Sequence, residues 1–234
     1  MERNQSAMLS IVSYNIHSGR DFLWRKRIDE MIATLLDLNA DIICIQEIHQ
    51  NNRFGHQVDF FAKLLSMNSL FSPSIKIADG GYGNAIFTNL PIHPTSFHRL
   101  PSKKEGRSLL DCKIKLGDQE ITVWVTHLSL DKFSRRNELL YMSEQLHTRQ
   151  DESLLIVGDF NTTSPNLPAH LIDCAKVKGQ EKKSTLLLPP FRLDYIFATP
   201  DWHVLDYQVL DVRWSDHLPI KATLEQHCSS LLEQ

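Results

Sequence analysis

Cysteine is sparse in this sequence and widely scattered. The four residues, Cys44, Cys112, Cys174 and Cys228, form no CxxC pair, which argues against a thiolate zinc site or a disulfide framework. Cys44 and Cys112 sit in apolar runs and read as small core residues. A dominant charge is also lacking. A formal net charge of −3 over 234 residues gives no broad basic field, so bulk electrostatics do not mark a nucleic-acid binder, although a local basic patch is compatible with it. No apolar stretch is long enough to span a membrane. The opening MERNQSAMLSIVSYN has no basic segment followed by a long apolar run and a small-residue cleavage site, so a cytoplasmic protein is expected. There is no internal repeat, low-complexity tract or clear linker. A hydrophobic content of 42% suits a single domain, taken as residues 1–234, with a substantial core.

Hydrophobic periodicity then places the elements. Leu9 to Tyr14 reads as a strand ending at Asn15, and Trp24 to Leu38 as an amphipathic helix carrying Trp24, Ile28, Met31, Ile32, Leu35 and Leu36. Ile42 to Ile45 is a buried strand stopping at Gln46 and Glu47. A second helix is expected over 57–66, with Val58, Phe61, Leu64 and Leu65 facing inward. In GGYGNAIFTNLP the glycines suggest a turn before a short strand, Ala85 to Phe87. Arg107 to Leu116 and Glu120 to His127 read as a hairpin around Gly117-Asp118. Ser134 is the expected cap of a helix reaching about Arg149. Leu154 to Val157, Arg192 to Ala198, Val204 to Leu210 and Leu218 to Leu224 are further strands, and Gln180 to Pro190 is the clearest loop. Helices interleaved with strands argue against a pure β sandwich.

Apolar runs in this chain stop repeatedly at an acid, an amide or a histidine: Asn15, Glu47, His127, Asp159 with Asn161, Asp194 and Asp216-His217. Each has an ordinary explanation. Asn15 and GDFN fit Asx-type turns, Glu47 a solvated strand end, and His127 a half-buried histidine on a carbonyl. SDHLP fits a surface turn. Asp194, bracketed by Leu193 and Tyr195-Ile196-Phe197, needs a buried partner. As a set, Asn15, Glu47, Asp159, Asn161 and Asp216 offer oxygen ligands only, which suits a hard divalent cation such as Mg²⁺ or Mn²⁺ rather than zinc. A buried aspartate can orient an imidazole, so Asp194 and His217 add an acid–base pair. Together these are the parts for phosphoester hydrolysis.

In this order, SYNIH, DIICIQE, GNAIF, EGRSLLDCKI, VTHLS, LLIVGDFN, RLDYIF and SDHLPI resemble the endonuclease/exonuclease/phosphatase family. No piece is specific alone; the ordered series, spanning nearly the whole chain, is. The resemblance implies a deoxyribonuclease I-like fold, a four-layer α/β/β/α sandwich of two packed, mostly antiparallel sheets with outer helices. It implies Glu47 as main metal ligand, Asn15 beside it and Asp216 as a second ligand on the metal side. It also implies Asp159 as the group that aligns or deprotonates the attacking water, and His217, paired with Asp194, as the catalytic histidine. His127, Asn161, Arg107 and Asn84 are then expected on the substrate phosphate, with Asn161 alternatively on the water. Arg107 also fits a solvated hairpin-end arginine. His127 matches the deoxyribonuclease and sphingomyelinase branches, whereas the abasic-site branch has tyrosine there.

The reaction class follows from this resemblance; the substrate does not. The layout is most similar to compact bacterial hydrolases, which favours a phosphodiester in a phospholipid-related or small phosphorylated molecule. A nuclease is the alternative, with Arg25-Lys26-Arg27, Lys103-Lys104, Arg135-Arg136 and Lys182-Lys183 as its cationic track. Phe22-Leu23-Trp24 reads as a helix-start staple, or else as a membrane-facing loop giving peripheral contact. A catalytically silent phosphate-binding module on the same fold is the third reading. A monomer is expected.

Overall fold

The computed structural model describes residues 7–93 and 96–226; Cys228 and the start of the N-terminal stretch read above lie outside them. In chain order the elements are β1 (Ala7–Asn15), α1 (Ile28–Leu38), β2 (Ile42–Asn51), β3 (Gly55–His56), α2 (Gln57–Leu65), β4 (Asn68–Ile77), β5 (Gly80–Thr88), β6 (Ser96–Arg99), β7 (Ser108–Leu116), β8 (Gln119–His127), α3 (Lys132–His147), β9 (Leu154–Asp159), β10 (Ile172–Asp173), α4 (Cys174–Val177), β11 (Asp194–Ala198), β12 (Trp202–Val209) and β13 (Ile220–Gln226). Two sheets result. One runs β12-β13-β1-β2-β5-β4, with β3 on β2; the other runs β10-β11-β9-β8-β7-β6.

Strand sequences assign the layers. In β1, Leu9 and Ile11 join the core shared by both sheets, while Val12 and Tyr14 face Met31, Ile32 and Leu35 of α1 and Phe61 of α2. In β9, Leu155 and Val157 enter the shared core, while Leu154 and Ile156 face Leu139, Met142 and Leu146 of α3. Both faces of the central strands are thus covered, which is why they read as unbroken apolar runs. Each fully buried aliphatic side chain contributes about 1.5–3 kcal/mol. The layer order is helix, sheet, sheet, helix, as the motifs imply.

Most strand pairs are antiparallel, but β1 with β2 and β8 with β9 are parallel. Parallel neighbours need a crossover, supplied by α1 and by α3. These two pairs lie at the centres of their sheets and carry Asn15 and Glu47 in one, His127 and Asp159 in the other. Their antiparallel neighbours run the opposite way, so Asp194 at the start of β11 lies opposite Asp159. The Asp216-His217 pair precedes β13, which pairs with β1.

Several local expectations are corrected. The first helix begins at Ile28, not Trp24. Asp21 accepts from the backbone N–H groups of Leu23 and Arg25 and from the side chains of Arg25 and Arg27, which winds 21–27 into a loop and leaves Trp24 at a φ of 63°. Leu64 faces solvent, and Leu65 makes the inward contact. The glycines of GGYG do not form a turn; they lie within β5, where a Cβ on Gly83 would sit 2.1 Å from the Ser72 carbonyl oxygen. The cap of α3 is Asp131, which accepts from the Ser134 N–H, while Ser134 itself is buried. The 180–190 segment is irregular but tied down: Leu187 N–H donates to the Asp216 carbonyl and Leu218 N–H to the Thr185 carbonyl.

Gly158 has a φ of +143°, and a Cβ there would lie 1.9 Å from the Thr126 carbonyl oxygen across the parallel pair. Gly117, in the β7–β8 turn at φ +61°, has open space around it. Gly158→Ala should therefore cost about 3 kcal/mol or more, lowering Tm by roughly 6–12 °C, and Gly117→Ala about 1 kcal/mol. Equal melting shifts for the two folded variants would refute this packing of β8 on β9.

Candidate active site

A cleft of about 370 Å³ opens where the two parallel pairs end, and Glu47, Arg107, His127, Asp159, Asn161, Asp216 and His217 line it. Local backbone devices aim these side chains. Glu47 is not at a strand end; β2 continues to Asn51. Its pairing with β5 slips between Ile45 and Ile48, and Glu47 adopts a φ of 60°. Such a bulge re-aims a side chain out of the strand's alternation. GDFN is indeed an Asx turn: Asp159 Oδ1 accepts from the Asn161 N–H, Asn161 has a φ of 50°, and its amide donates to the Leu128 carbonyl. The turn is what fixes both residues at the cleft.

At the cleft, one amide joins the two sheets. Asn15 Nδ2 donates to Glu47 Oε1 at 3.0 Å and to Asp159 Oδ2 at 3.1 Å. His127 Nε2 lies 3.6 Å from Asp159 Oδ2 and 3.9 Å from Glu47 Oε1. On the other side of Asp159, His217 Nε2 is 3.6 Å from the same Oδ2. His217 Nδ1 donates to Asp194 Oδ2 at 2.8 Å, and Thr185 Oγ1 donates to that oxygen as well. Asp194 and Asp159 are each 1% exposed.

Burial and charge set the protonation states. Burial raises Asp159 above the usual carboxylate range; Asp194 acts the same way and His217 opposes. Burial alone lowers a histidine, but Asp194 and Asp159 outweigh it at His217 and lift the imidazole to about 10. His127 goes well below its ordinary value, through burial and then the positive charges of Arg107 and His217. One imidazole is therefore held cationic and the other neutral on either side of one carboxylate, the separation expected of groups with distinct acid–base tasks.

Asp159, Asp194 and His217 form the tightest acidic–imidazole cluster among the described residues, with ligand atoms within 4.8 Å of one another. It is a poor cation cage, because His217 Nδ1 and Asp194 are committed to each other. The oxygens of Glu47 and Asp216 face the cleft, and the Asn15 amide lies against Glu47. These are hard donors of the kind Mg²⁺ and Mn²⁺ prefer, and Asp216 is steadied by Ser215 Oγ at 3.1 Å. The donor set fits a hard divalent ion.

Arg107, 3% exposed, ion-pairs with Glu105 at 2.7 Å, and its buried Nε has no hydrogen-bond partner. It lines the cleft and is not a solvated hairpin-end residue. Asn84 stands apart: it is fully buried, does not line the cleft, and donates to the Ser108 carbonyl across the sheets. Sequence reasoning passed over Tyr82, His17, Glu105 and Thr185. Tyr82 lines the cleft, hydrogen-bonds Glu47, and is raised by burial and by that carboxylate. Its glycine-rich surroundings, which read as a turn in sequence, hid it. Thr185 was hidden in a segment read as loop.

The sequence matches the family model described as Endonuclease/Exonuclease/phosphatase family over residues 12–217, and no curated protein matches it. Among solved structures it is similar to an endonuclease/exonuclease/phosphatase protein from Beutenbergia cavernae, with TM-score 0.79 and 20% identity over 94% of this chain and 72% of that one. It is similar also to a mannosyl-6-phosphatase from Bacteroides thetaiotaomicron, with TM-score 0.76 and 20% identity over 92% and 99%. The TDP2 protein of D. rerio, complexed with a single-strand DNA product, gives TM-score 0.75 and 20% identity over 93% and 98%. Motifs in order, a four-layer sandwich and a family match across the site together place this chain in the endonuclease/exonuclease/phosphatase family.

Proposed function

We propose that the protein is a metal-dependent phosphoesterase that hydrolyses a phosphodiester by in-line attack of water, and that residues 1–234 act as a single catalytic domain. The observation that carries this reading is the placement of Asp159 between a cationic and a neutral imidazole, beside the oxygen donors of Glu47 and Asn15. Glu47, Asn15 and Asp216 would hold Mg²⁺ or Mn²⁺, which would supply positive charge against the phosphate oxygens.

The chain's own groups do the rest. Asp159 Oδ2 aligns the water and takes its proton; burial makes it a stronger base than an ordinary carboxylate. Cationic His217 gives its Nε2 proton to the departing ester oxygen as the P–O bond breaks, and Asp194 holds the ring with Nδ1 committed. Neutral His127, the Asn161 amide and Arg107 bind the remaining oxygens, supplying fixed donors where charge accumulates. Asn84 acts from behind, holding Ser108 and with it the adjoining Arg107. Tyr82 holds Glu47.

A small or lipid-derived phosphodiester is favoured over nucleic acid, because the cationic pairs proposed as a track are largely engaged locally. Arg25 and Arg27 bind Asp21, Lys104 binds Asp131, and Arg135 donates to the Ser129 and Leu130 carbonyls. Steeply salt-sensitive cleavage of plasmid DNA, exceeding turnover of small diesters, would reverse that order.

His217→Ala and Asp159→Ala should each lower kcat on bis-p-nitrophenyl phosphate by roughly 10² or more while remaining folded; near wild-type turnover in either rejects the assignment. Chelation with EDTA should abolish activity, and Mg²⁺ or Mn²⁺ should restore it. Full activity in EDTA sinks the cation requirement. Stability gives a further check on the metal-free protein. His217 is raised from 6.5 to about 10, so its contribution is fully present below pH 6.5 and lost as pH rises through 10. Tm should decline across that window, and His217→Ala should flatten the decline; an unchanged slope contradicts the Asp194–His217 pairing.

A further inference from the structure

A second groove, about 410 Å³ in volume, adjoins the cleft and shares Leu188 with it. Phe22 and Leu23 form one wall, and Leu187 and Leu188 the other. The three apolar side chains after Asp21 do not staple a helix. They stand in solvent, Leu23 at 63% and Trp24 at 64% exposure. Apolar side chains clustered around a concave site mark a binding surface.

Both walls are preorganised. The first is held by the four hydrogen bonds to Asp21, and the Trp24 ring lies 4.7 Å from that of His17, itself a cleft residue. The second is held by Leu187 N–H on the Asp216 carbonyl and by the bridge between Leu186 and His217. The segment that builds the apolar wall is thus bonded directly to Asp216 and His217. Arg25 and Arg213 border the groove, paired with Asp21 and Asp211.

We propose that this groove binds the apolar ester group, alkyl or aryl, of an amphiphilic phosphoester whose phosphate lies in the adjoining cleft. The proposal rests on the phosphoesterase reading for the position of the phosphate and adds the class of substituent that the enzyme selects. Continuity through Leu188 identifies the occupant: a group entering the groove from a cleft-bound phosphate passes Leu188 and packs between Leu23 and Leu187. Rigid walls lower the ordering cost of such a ligand. The same geometry gives a polar ester substituent no hydrogen-bonding partner on those side chains.

The test is the affinity of ethyl, butyl, hexyl and octyl phosphate for the full chain with Mn²⁺, by isothermal titration calorimetry below the micelle threshold. Kd should fall by roughly two- to four-fold per methylene until the groove is filled. Phe22→Ser and Leu23→Ser, at exposed positions, should flatten the series and leave ethyl phosphate affinity unchanged. A flat series in the wild-type protein, or no binding of octyl phosphate, overturns the proposal. So does sedimentation with phosphatidylglycerol vesicles that depends on Phe22 while the alkyl series stays flat, since that assigns the loop to a lipid surface. Turnover of ethyl p-nitrophenyl phosphate separates the two readings. Steep alkyl dependence without turnover supports the groove and rejects hydrolysis; turnover with a flat series does the opposite.

Discussion

The Asn15 side chain spans the seam between the sheets. Its two N–H donors reach Glu47 in one sheet and Asp159 in the other, while its Oδ1 accepts from the His17 N–H. Its amide nitrogen is therefore committed to joining carboxylates that repel one another. Two acids brought so near need a shared donor or a cation, and a neutral amide supplies the first without adding charge. The spacing of the two sheets, the direction of β1 and β9 and the height of both carboxylates in the cleft all meet in this one group.

The geometry of the cleft is inherited from strand direction. A parallel pair at the centre of each sheet delivers its C-terminal ends to one edge, and antiparallel neighbours deliver their starts there. Bulges and turns then make the fine adjustments: the slip that turns Glu47 inward and the Asx turn that locks Asp159 to Asn161. Rigid mounts of this kind spare the site the entropy of ordering flexible loops. In the interior, Asp194 Oδ2 is compensated by His217 and Thr185.

The layers are legible in the sequence because strands covered on two faces read as continuous apolar runs, as in Leu154 to Val157 and Ile42 to Ile45. The polar residues that end those runs are legible for the same reason. What sequence periodicity misses depends on long-range bonding. Asp21 unwinds the expected first turn of α1 through partners up to six residues away. The β5 glycines look like a turn until β2 and β4 are seen pressing on the strand's backbone. Thr185 carries no local mark at all; its importance comes from Asp194, nine residues on and already folded into β11. The amide of Asn84 is another instance: its sequence context suggests a ligand contact, and its register opposite Ser72 buries it between the sheets.

The pairing of β1 with β13 sets Ala7 against Gln226 and Ser13 against Ile220. β1 thus waits for β13 before that edge is covered, and the cleft waits with it for His217. Contacts so distant in sequence form slowly, and an exposed β1 edge is open to wrong partners until they do. During synthesis the chain holds Glu47, His127 and Asp159 well before it holds Asp216 and His217. An emerging polypeptide therefore lacks the complete acid–base apparatus, and the chemistry of the cleft is tied in time to closure of the sheet.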